Sequence, residues 1–432
     1  MHELAIELNE ILKGTIVDEM LSDVGRRMFF PKGIVAQSAE AKLKATRFNA
    51  TIGMATSDGQ PMYLSDIYNQ FSQDSLTPAE IFSYAAGGGD PQLRALWKEM
   101  LFKKNPSLQG KHFSLPIVTG GLTHGLSCLA QLFAQSGDTL VIPDLAWDNY
   151  ELIFAQQVNA TVKTFPLYDD KGGFNVAAMK EVLASVSGGK ARILLNFPNN
   201  PTGYTPSETE MNAIAEALID LAEDGMKLMV LCDDAYFGLF FEEETAKEGL
   251  FTRIANAHDN IFAIKCDAAT KEDMVWGFRI GFLTYASKSL TPAQYDALNK
   301  KTLGIIRSTV SNCDRPGQSL LLHAMRDGKN YLRDKENARL EMAKRFHALT
   351  KALEKHAGSE LLKPYPYNSG YFMAFKCKGS SEQLRQYLLE KYQVGCISIK
   401  DDTLRLAYCS VECDKIPELV DLVYQAAGEA WK

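Results

Sequence analysis

The stretch KCDAATKEDMVWGFRIGF (265–282) places Lys271 behind small residues, just past an apolar run, IFAIK (261–265). Eight positions later Arg279 opens a second apolar run. A lysine amine becomes a nucleophile and proton carrier when burial and nearby positive charge lower its pKa. Three other groups of reactive side chains occupy comparable positions. ARILLNF (191–197) runs into PNNPTGYTP (198–206), a turn dense in Pro, Asn and Gly. KLMVLC (227–232) runs into Asp233, Asp234 and Tyr236. In VTGGLTHGL (118–126) glycines precede a helix start, where backbone N–H groups can approach an anion. Taken singly, a Gly-Gly pair is a turn and an Asp at a strand end is a cap. Taken together, they put an amide, a carboxylate, a phenol, a lysine, an arginine and an anion cradle at one crevice.

The elements that position these groups follow from hydrophobic period. GDPQLRALWKEMLFKK (89–104) has apolar residues at 93, 96, 97, 100 and 101, with Asp90 as N-cap and Pro91 at the first helical position. A second helix is expected over roughly 121 to 135, then strand TLVIP, helix DNYELIFAQQ, strand ATVKTFPL, helix NVAAMKEVLASV and strand ARILLNFP. Ser207 and Glu210 form a capping box at the start of SETEMNAIAEALIDLAEDG, ahead of strands KLMVLCDD and IFAIK. Strands alternating with helices predict a mainly parallel sheet covered on both faces. Such sheets bind ligands beyond the carboxyl ends of their strands, where the reactive residues gather. From about 315 the sequence turns long, charged and helical through His356, then gives short strands YFMAFKC, CISI and TLRLAYC between helices. A large domain over 61–315 is therefore expected, with 316–432 and the N-terminal 1–60 forming a smaller α+β domain.

A net charge of −7 over 432 residues argues against nucleic acid as a partner. The first fifty residues show no basic helix-turn-helix pattern. Eight cysteines are scattered without C-x-x-C pairs or metal-ligand spacing, so no metal is expected and a reducing, cytoplasmic setting is. The N-terminal MHELAIELNEILKG carries acidic residues and no long apolar core, unlike a secretory signal. No uncharged apolar run is long enough to span a membrane.

NNPTG (199–203), D-x-A-Y (Asp233 to Tyr236) and K-x7-R-x-G (Lys271 to Gly281), in this order, resemble the fold type I pyridoxal-phosphate enzymes, the aminotransferase superfamily. The motif pattern is similar above all to aspartate and aromatic aminotransferases. YAAGGGDPQLR (84–94) and LRLAYC (404–409) extend the resemblance to most of the chain. It implies a seven-stranded, mainly parallel sheet with helices on both faces, a smaller α+β domain, and a homodimer with shared active sites. It also implies that Lys271 holds pyridoxal 5'-phosphate covalently and then moves a proton. Asp233 would keep the pyridine nitrogen protonated, so that the ring draws electrons from the amino acid's Cα. Asp234 is the competing choice, although on a strand it would face the other way. Tyr236 and Asn200 would hydrogen-bond the ring's phenolic oxygen, and Trp147 would stack on the ring. The phosphate would rest on Gly121, Leu122, Thr123 and Arg279, with Tyr84 reaching it from the neighbouring subunit and Ser311 as a further contact.

The sequence departs from the family at Ala268, where a phosphate-binding serine is common, and Thr270 is the available substitute. For the substrate, the resemblance assigns Arg405 to the α-carboxylate and Gly53 to a backbone position facing it. GIIRSTVSNCDRPGQ (304–318) resembles the segment whose arginine, here Arg307, meets a distal carboxylate in the other subunit. Transfer of the amino group of aspartate or glutamate to a 2-oxo acid is thus expected. The sequence leaves open aromatic or other amino acids, and a lyase, decarboxylase or racemase outcome on the same fold. A nucleotide-dependent oxidoreductase is disfavoured, because no G-x-G-x-x-G joins a first strand to a helix with an acidic residue about twenty further on.

Overall fold

The computed structural model describes residues 1–31, 33–72 and 74–432. Seven strands form the main sheet, in the spatial order Ile117–Gly120, Ile280–Ser287, Ile261–Ala268, Lys227–Asp233, Lys190–Asn196, Thr139–Pro143, Thr161–Phe165. All neighbours pair in parallel except Ile280–Ser287, which runs antiparallel to the strands on both its sides. The central strands are buried along almost their whole length, as their unbroken apolar runs require. Helix Pro91–Lys104 begins as expected on the Asp90 cap and Pro91, and Ser207 and Glu210 close their capping box on helix Glu208–Glu223. The helix expected from DNYELIFAQQ is one short turn, Asn149–Glu151, followed by a wider π-helical segment, Leu152–Gln157.

A second sheet, in the order Leu362–Pro364, Phe372–Cys377, Thr403–Ala407, Ile397–Lys400, is entirely antiparallel. Phe48 and Asn49 pair in parallel with Val394 and Gly395, which ties the N-terminal segment to this part of the chain. Helix Ile34–Lys44 is held there too: the Gln37 amide donates to the Ser398 carbonyl and accepts from its N–H, both at 2.9 Å.

Two apolar cores result. Leu321, Leu322, Ala324 and Met325 belong to the larger core. The 26-residue helix Lys329–Glu354 joins both cores: its Tyr331, Ala338 and Met342 enter the larger and its Phe346, Leu349 and Leu353 enter the smaller. The chain crosses between cores again from Ala50 to Ala55. Among the described residues no helix is long and apolar enough to cross a membrane.

Candidate active site

At the carboxyl ends of the parallel strands a cavity of about 340 Å³ opens, lined also by Phe372 and Arg405 of the second sheet. Ten residues singled out from the sequence line it: Gly53, Leu122, Thr123, Trp147, Asn200, Asp233, Tyr236, Lys271, Arg279 and Arg405.

Asp233 is the last residue of its strand and pairs in register with Asn196, the last of the next. Its Oδ1 accepts from the Ala235 N–H at 3.1 Å and the Asn196 amide at 3.2 Å, and its Oδ2 from the Tyr150 hydroxyl at 2.7 Å. Burial pushes its pKa up, while these donors and Lys271 favour the charged form. Asp234, one residue on, faces away from the cavity and forms a buried ion pair with Lys265, which also lies 3.9 Å from Asp267. Its pKa is raised to about 6, chiefly by burial. The alternation of strand side chains thus separates two adjacent carboxylates into different surroundings.

Lys271 lies on a single helical turn, Ala269–Glu272, directly after strand Ile261–Ala268. Its Nζ sits 5.1 Å from the centre of the Tyr236 ring. Burial lowers its pKa to about 8, against the attraction of Asp233 and with help from the Arg279 charge. Thr270 lines the cavity, whereas Ala268 is buried and has no polar side-chain atom.

Gly121 caps helix Leu122–Phe133 at φ +82°, and no side chain caps that helix start. A Cβ at Gly121 would stand 2.5 Å from Arg279 Nη2, and one at Gly281 only 2.6 Å from the Gly121 carbonyl carbon. Glycine at both positions lets the helix start press onto strand Ile280–Ser287 beneath the guanidinium. Uncapped N–H groups, the helix dipole and Arg279 then converge on one spot, the makings of a phosphate cradle.

The NNPTG turn is built the same way. Asn199 Oδ1 accepts from the Thr202 N–H and hydroxyl at 3.1 and 2.8 Å. Gly203, at φ +76°, has room for no Cβ, which would fall 2.1 Å from the Phe372 carbonyl oxygen. The turn thereby seats Asn200 against Arg405, whose Nη1 donates to Asn200 Oδ1 at 2.9 Å and whose Nη2 donates to the Thr51 carbonyl at 2.7 Å. Arg405 is 2% exposed and lies 4.2 Å over the Phe372 ring. Its Nε has no partner, and burial lowers its pKa to about 10. A buried cation with a free donor edge is suited to a bidentate carboxylate.

Tyr84, Arg307 and Ser311 do not reach this cavity. Tyr84 is 90% exposed and Arg307 is exposed at the end of helix Pro292–Thr309. Arg307 donates to the Ser311 hydroxyl at 2.5 Å, and the neighbouring Asn312 amide donates to the Ala85 carbonyl at 2.8 Å, so the three residues share one surface. Phe82 and Val310 lie exposed in the same two segments. Thr309 contacts His124, in the first turn of helix Leu122–Phe133, at 3.0 Å.

Sequence reasoning missed Tyr150, Asn196, Thr51, Ile52, Phe372 and the helix turn carrying Ile34, Val35 and Ser38, all of which line the cavity. Tyr150 stands three residues after Trp147, a spacing that shares a helical face, and that is the one local signal for it.

Residues 58–423 match the family aminotransferase class I and II. The chain belongs to this family. It is 26% identical to a probable aspartate/prephenate aminotransferase of Aquifex aeolicus over 73% of this chain and 75% of that one. It is also 26% identical to an aspartate aminotransferase of Pyrococcus horikoshii, over 73% and 74%. Among solved structures, an aminotransferase from Anaerococcus prevotii superposes with a TM-score of 0.84 at 23% identity, covering 96% of this chain and all of that one. An aspartate aminotransferase from Thermus thermophilus with maleate gives 0.73 at 18%, covering 94% and 99%. These two structures share its fold. Aminotransferases of this family depend on pyridoxal phosphate, and the residues present here fit that cofactor. The aminotransferase offers an amine of lowered pKa, a buried carboxylate, an uncapped helix start under an arginine, and a second arginine with an unfilled edge.

Proposed function

We propose that this aminotransferase moves the amino group of a dicarboxylic amino acid, aspartate or glutamate, to a 2-oxo acid. We further propose that it works as a homodimer in which each subunit completes its neighbour's site. The observation that carries the amino-acid-binding part of the reading is Arg405, a guanidinium with a buried, unpartnered Nε that lines the cavity also holding Lys271. A substrate α-carboxylate satisfies that edge and brings Cα toward the lysine. Pyridoxal phosphate, when bound, supplies the electron sink for charge developing at that carbon.

The chain's own residues then have distinct tasks. Lys271 holds the cofactor covalently and carries the proton at Cα, which its lowered pKa suits. Asp233 faces the ring nitrogen, with Tyr150 and Asn196 fixing the carboxylate. Asn200 gives its side-chain oxygen to Arg405, leaving its side-chain NH2 for the ring's phenolic oxygen beside Tyr236. Trp147 covers the ring, Gly53 leaves space for the substrate, and Gly121, Leu122, Thr123 and Arg279 hold the phosphate. Thr270 stands where Ala268 gives no hydroxyl. All eight cysteines are free thiols, which suits a reducing compartment such as the cytoplasm.

Apart from Arg279 and Arg405 no arginine lines the cavity among the described residues. A distal carboxylate needs a third, and Arg307 supplies it to the partner's site from the surface it shares with Tyr84 and Ser311. The relatives named as aspartate aminotransferases support the dicarboxylate reading. A second reading, transfer from aromatic amino acids, is favoured by the apolar rim of Ile34, Val35 and Ile52. Half-reactions followed by absorbance decide between them. Arg307→Ala should slow aspartate about 30-fold or more, the worth of a desolvated carboxylate pair of roughly 2–5 kcal/mol, while sparing an aromatic or aliphatic amino acid. Faster reaction of the unaltered protein with leucine or phenylalanine than with aspartate and glutamate would overturn the dicarboxylate reading.

A further inference from the structure

Glu272 and Asp273, the two residues after Lys271, point away from the cavity into a buried cluster of charge. Glu272 pairs with Lys104, at the end of helix Pro91–Lys104, and lies 3.3 Å from Lys335. Lys335 Nζ is 2.8 Å from Asp273 Oδ1, and the Tyr331 hydroxyl donates to the same oxygen at 2.5 Å. Lys335 is 9% exposed and Asp273 fully buried. Tyr331 and Lys335 are one turn apart on helix Lys329–Glu354, the helix that passes from the larger core to the smaller.

We propose that Lys335 is a positioning residue for Lys271: with Tyr331 it clamps Glu272 and Asp273 from behind, so that the one-turn helix 269–272 holds its lysine toward the cavity. The inference rests on the reading of Lys271 as the cofactor lysine. A helix of four residues cannot sustain itself, since nucleation costs more than its few hydrogen bonds return. The turn here is pinned from outside. The Tyr371 hydroxyl donates to the Lys271 carbonyl at 2.9 Å, Met274 closes the turn at φ +53°, and the two carboxylates are anchored on helices 60 and more residues away in sequence. Gly238 keeps the space open, because a Cβ there would lie 2.7 Å from Glu272 Oε1. Charged and titratable groups thus surround Lys271 on both sides. Asp233, Tyr236 and Arg279 line the cavity with it, buried Cys409 lies near it, and Lys104, Glu272, Asp273 and Lys335 stand behind it. Taking one cation from the rear group leaves two carboxylates undercompensated, which favours a protonated lysine. It also frees the turn to shift.

The test uses the holoenzyme, with Lys335→Met as the isosteric uncharged variant, Lys335→Arg as the conservative one, and Tyr331→Phe as a change that removes a single hydroxyl. Leu349→Ala, in the smaller core, is the control for lost stability alone. Two readouts are taken: the pH midpoint of the bound cofactor's absorbance and the rate of cofactor release on transfer to cofactor-free buffer. Lys335→Met should raise the midpoint by about half a unit or more and speed release about tenfold, a change of 1.4 kcal/mol. Lys335→Arg should restore most of both, and Tyr331→Phe should speed release several-fold. Leu349→Ala should lower the melting temperature and leave both readouts in place. If Lys335→Met behaves as the unaltered protein, or Leu349→Ala moves both readouts equally, the clamp is structural only. Should Lys335→Met fail to fold, an unaltered release rate in Tyr331→Phe would refute the proposal. Borohydride reduction of the unaltered holoenzyme tests the underlying lysine separately: label away from Lys271 overturns that reading, whatever the clamp variants do.

Discussion

Asp233 and Asp234 are adjacent, both buried and both raised in pKa by that burial, yet their replacement should damage different properties. Asp233→Asn keeps the shape and one acceptor for Tyr150 while removing the charge that faces the cavity. A single preorganised electrostatic partner contributes about 2.7–4 kcal/mol to a transition state, so the half-reaction with aspartate should slow about 100- to 1,000-fold. The fold should be little affected, because an uncharged side chain in that position no longer carries a desolvation cost. Asp234→Asn instead strands Lys265, a cation with 1% side-chain exposure, whose other carboxylate, Asp267, is 3.9 Å away. Breaking a buried pair costs about 3–5 kcal/mol, and the lower end applies because Asp267 remains. With an unfolding entropy of about 2.1 cal/mol/K per residue, a loss of about 3 kcal/mol lowers the Tm of a 432-residue chain by about 3 °C. Calorimetry of the cofactor-free proteins and single-turnover absorbance of the loaded ones give the two numbers independently. A crippled rate in Asp234→Asn together with a near-normal rate in Asp233→Asn would refute the reasoning, since the strand would then present the other carboxylate to the cofactor.

Borohydride reduction and peptide mapping should find the pyridoxyl group on Lys271 and on no other lysine. Recombination of the cofactor-free protein with pyridoxal phosphate should quicken as pH rises, about tenfold per unit below pH 8, because the neutral amine reacts and burial holds Lys271 at about 8. Removing a cation in Arg279→Gln should move that midpoint upward, and a midpoint near 10 in the unaltered protein would contradict the burial argument. Mixing Lys271→Ala with Arg307→Ala protein should restore activity through hybrid dimers, and no recovery after verified subunit exchange would mean that each site is built from one chain. Gly203→Ala should destabilise by about 3 kcal/mol or more, because its Cβ would meet the Phe372 carbonyl oxygen at a positive φ. Gly14→Ala, also at positive φ but in open space, should cost only about 1 kcal/mol.

Much of the cavity was legible because its residues sit where apolar runs end. Asp233, Asn200 and Lys271 each follow such a run, and strand alternation was enough to set Asp233 toward the crevice and Asp234 away. What stayed hidden depends on pairing between distant segments. Asn196 reaches Asp233 only because two strands align in register, which no local pattern reports. Helix Ile34–Lys44 joins the cavity wall through a contact between Gln37 and Ser398, 361 residues apart. The antiparallel sense of Ile280–Ser287 was equally silent, since a buried strand reads the same in either direction. Arg307, Tyr84 and Ser311 lie on an exposed surface of the single chain, so what they touch is a matter of assembly.

That reversed strand also decides how far apart in the chain the chemistry is stored. A parallel successor to Ile261–Ala268 would require a crossover of a dozen or more residues before re-entering the sheet at its far edge. Running backward, Ile280–Ser287 starts at the same rim where its neighbour stops, with Gly281 opposite Ala268 and Ile280 opposite Gly120. Lys271 and Arg279 are therefore brought together by a loop of a few residues, and an exchange of short segments during evolution would carry both at once. Arg405 has no such linkage. It comes from the far end of the chain, so the proposed grip on the substrate can be retuned through the smaller sheet without disturbing the hairpin that holds the lysine and the arginine.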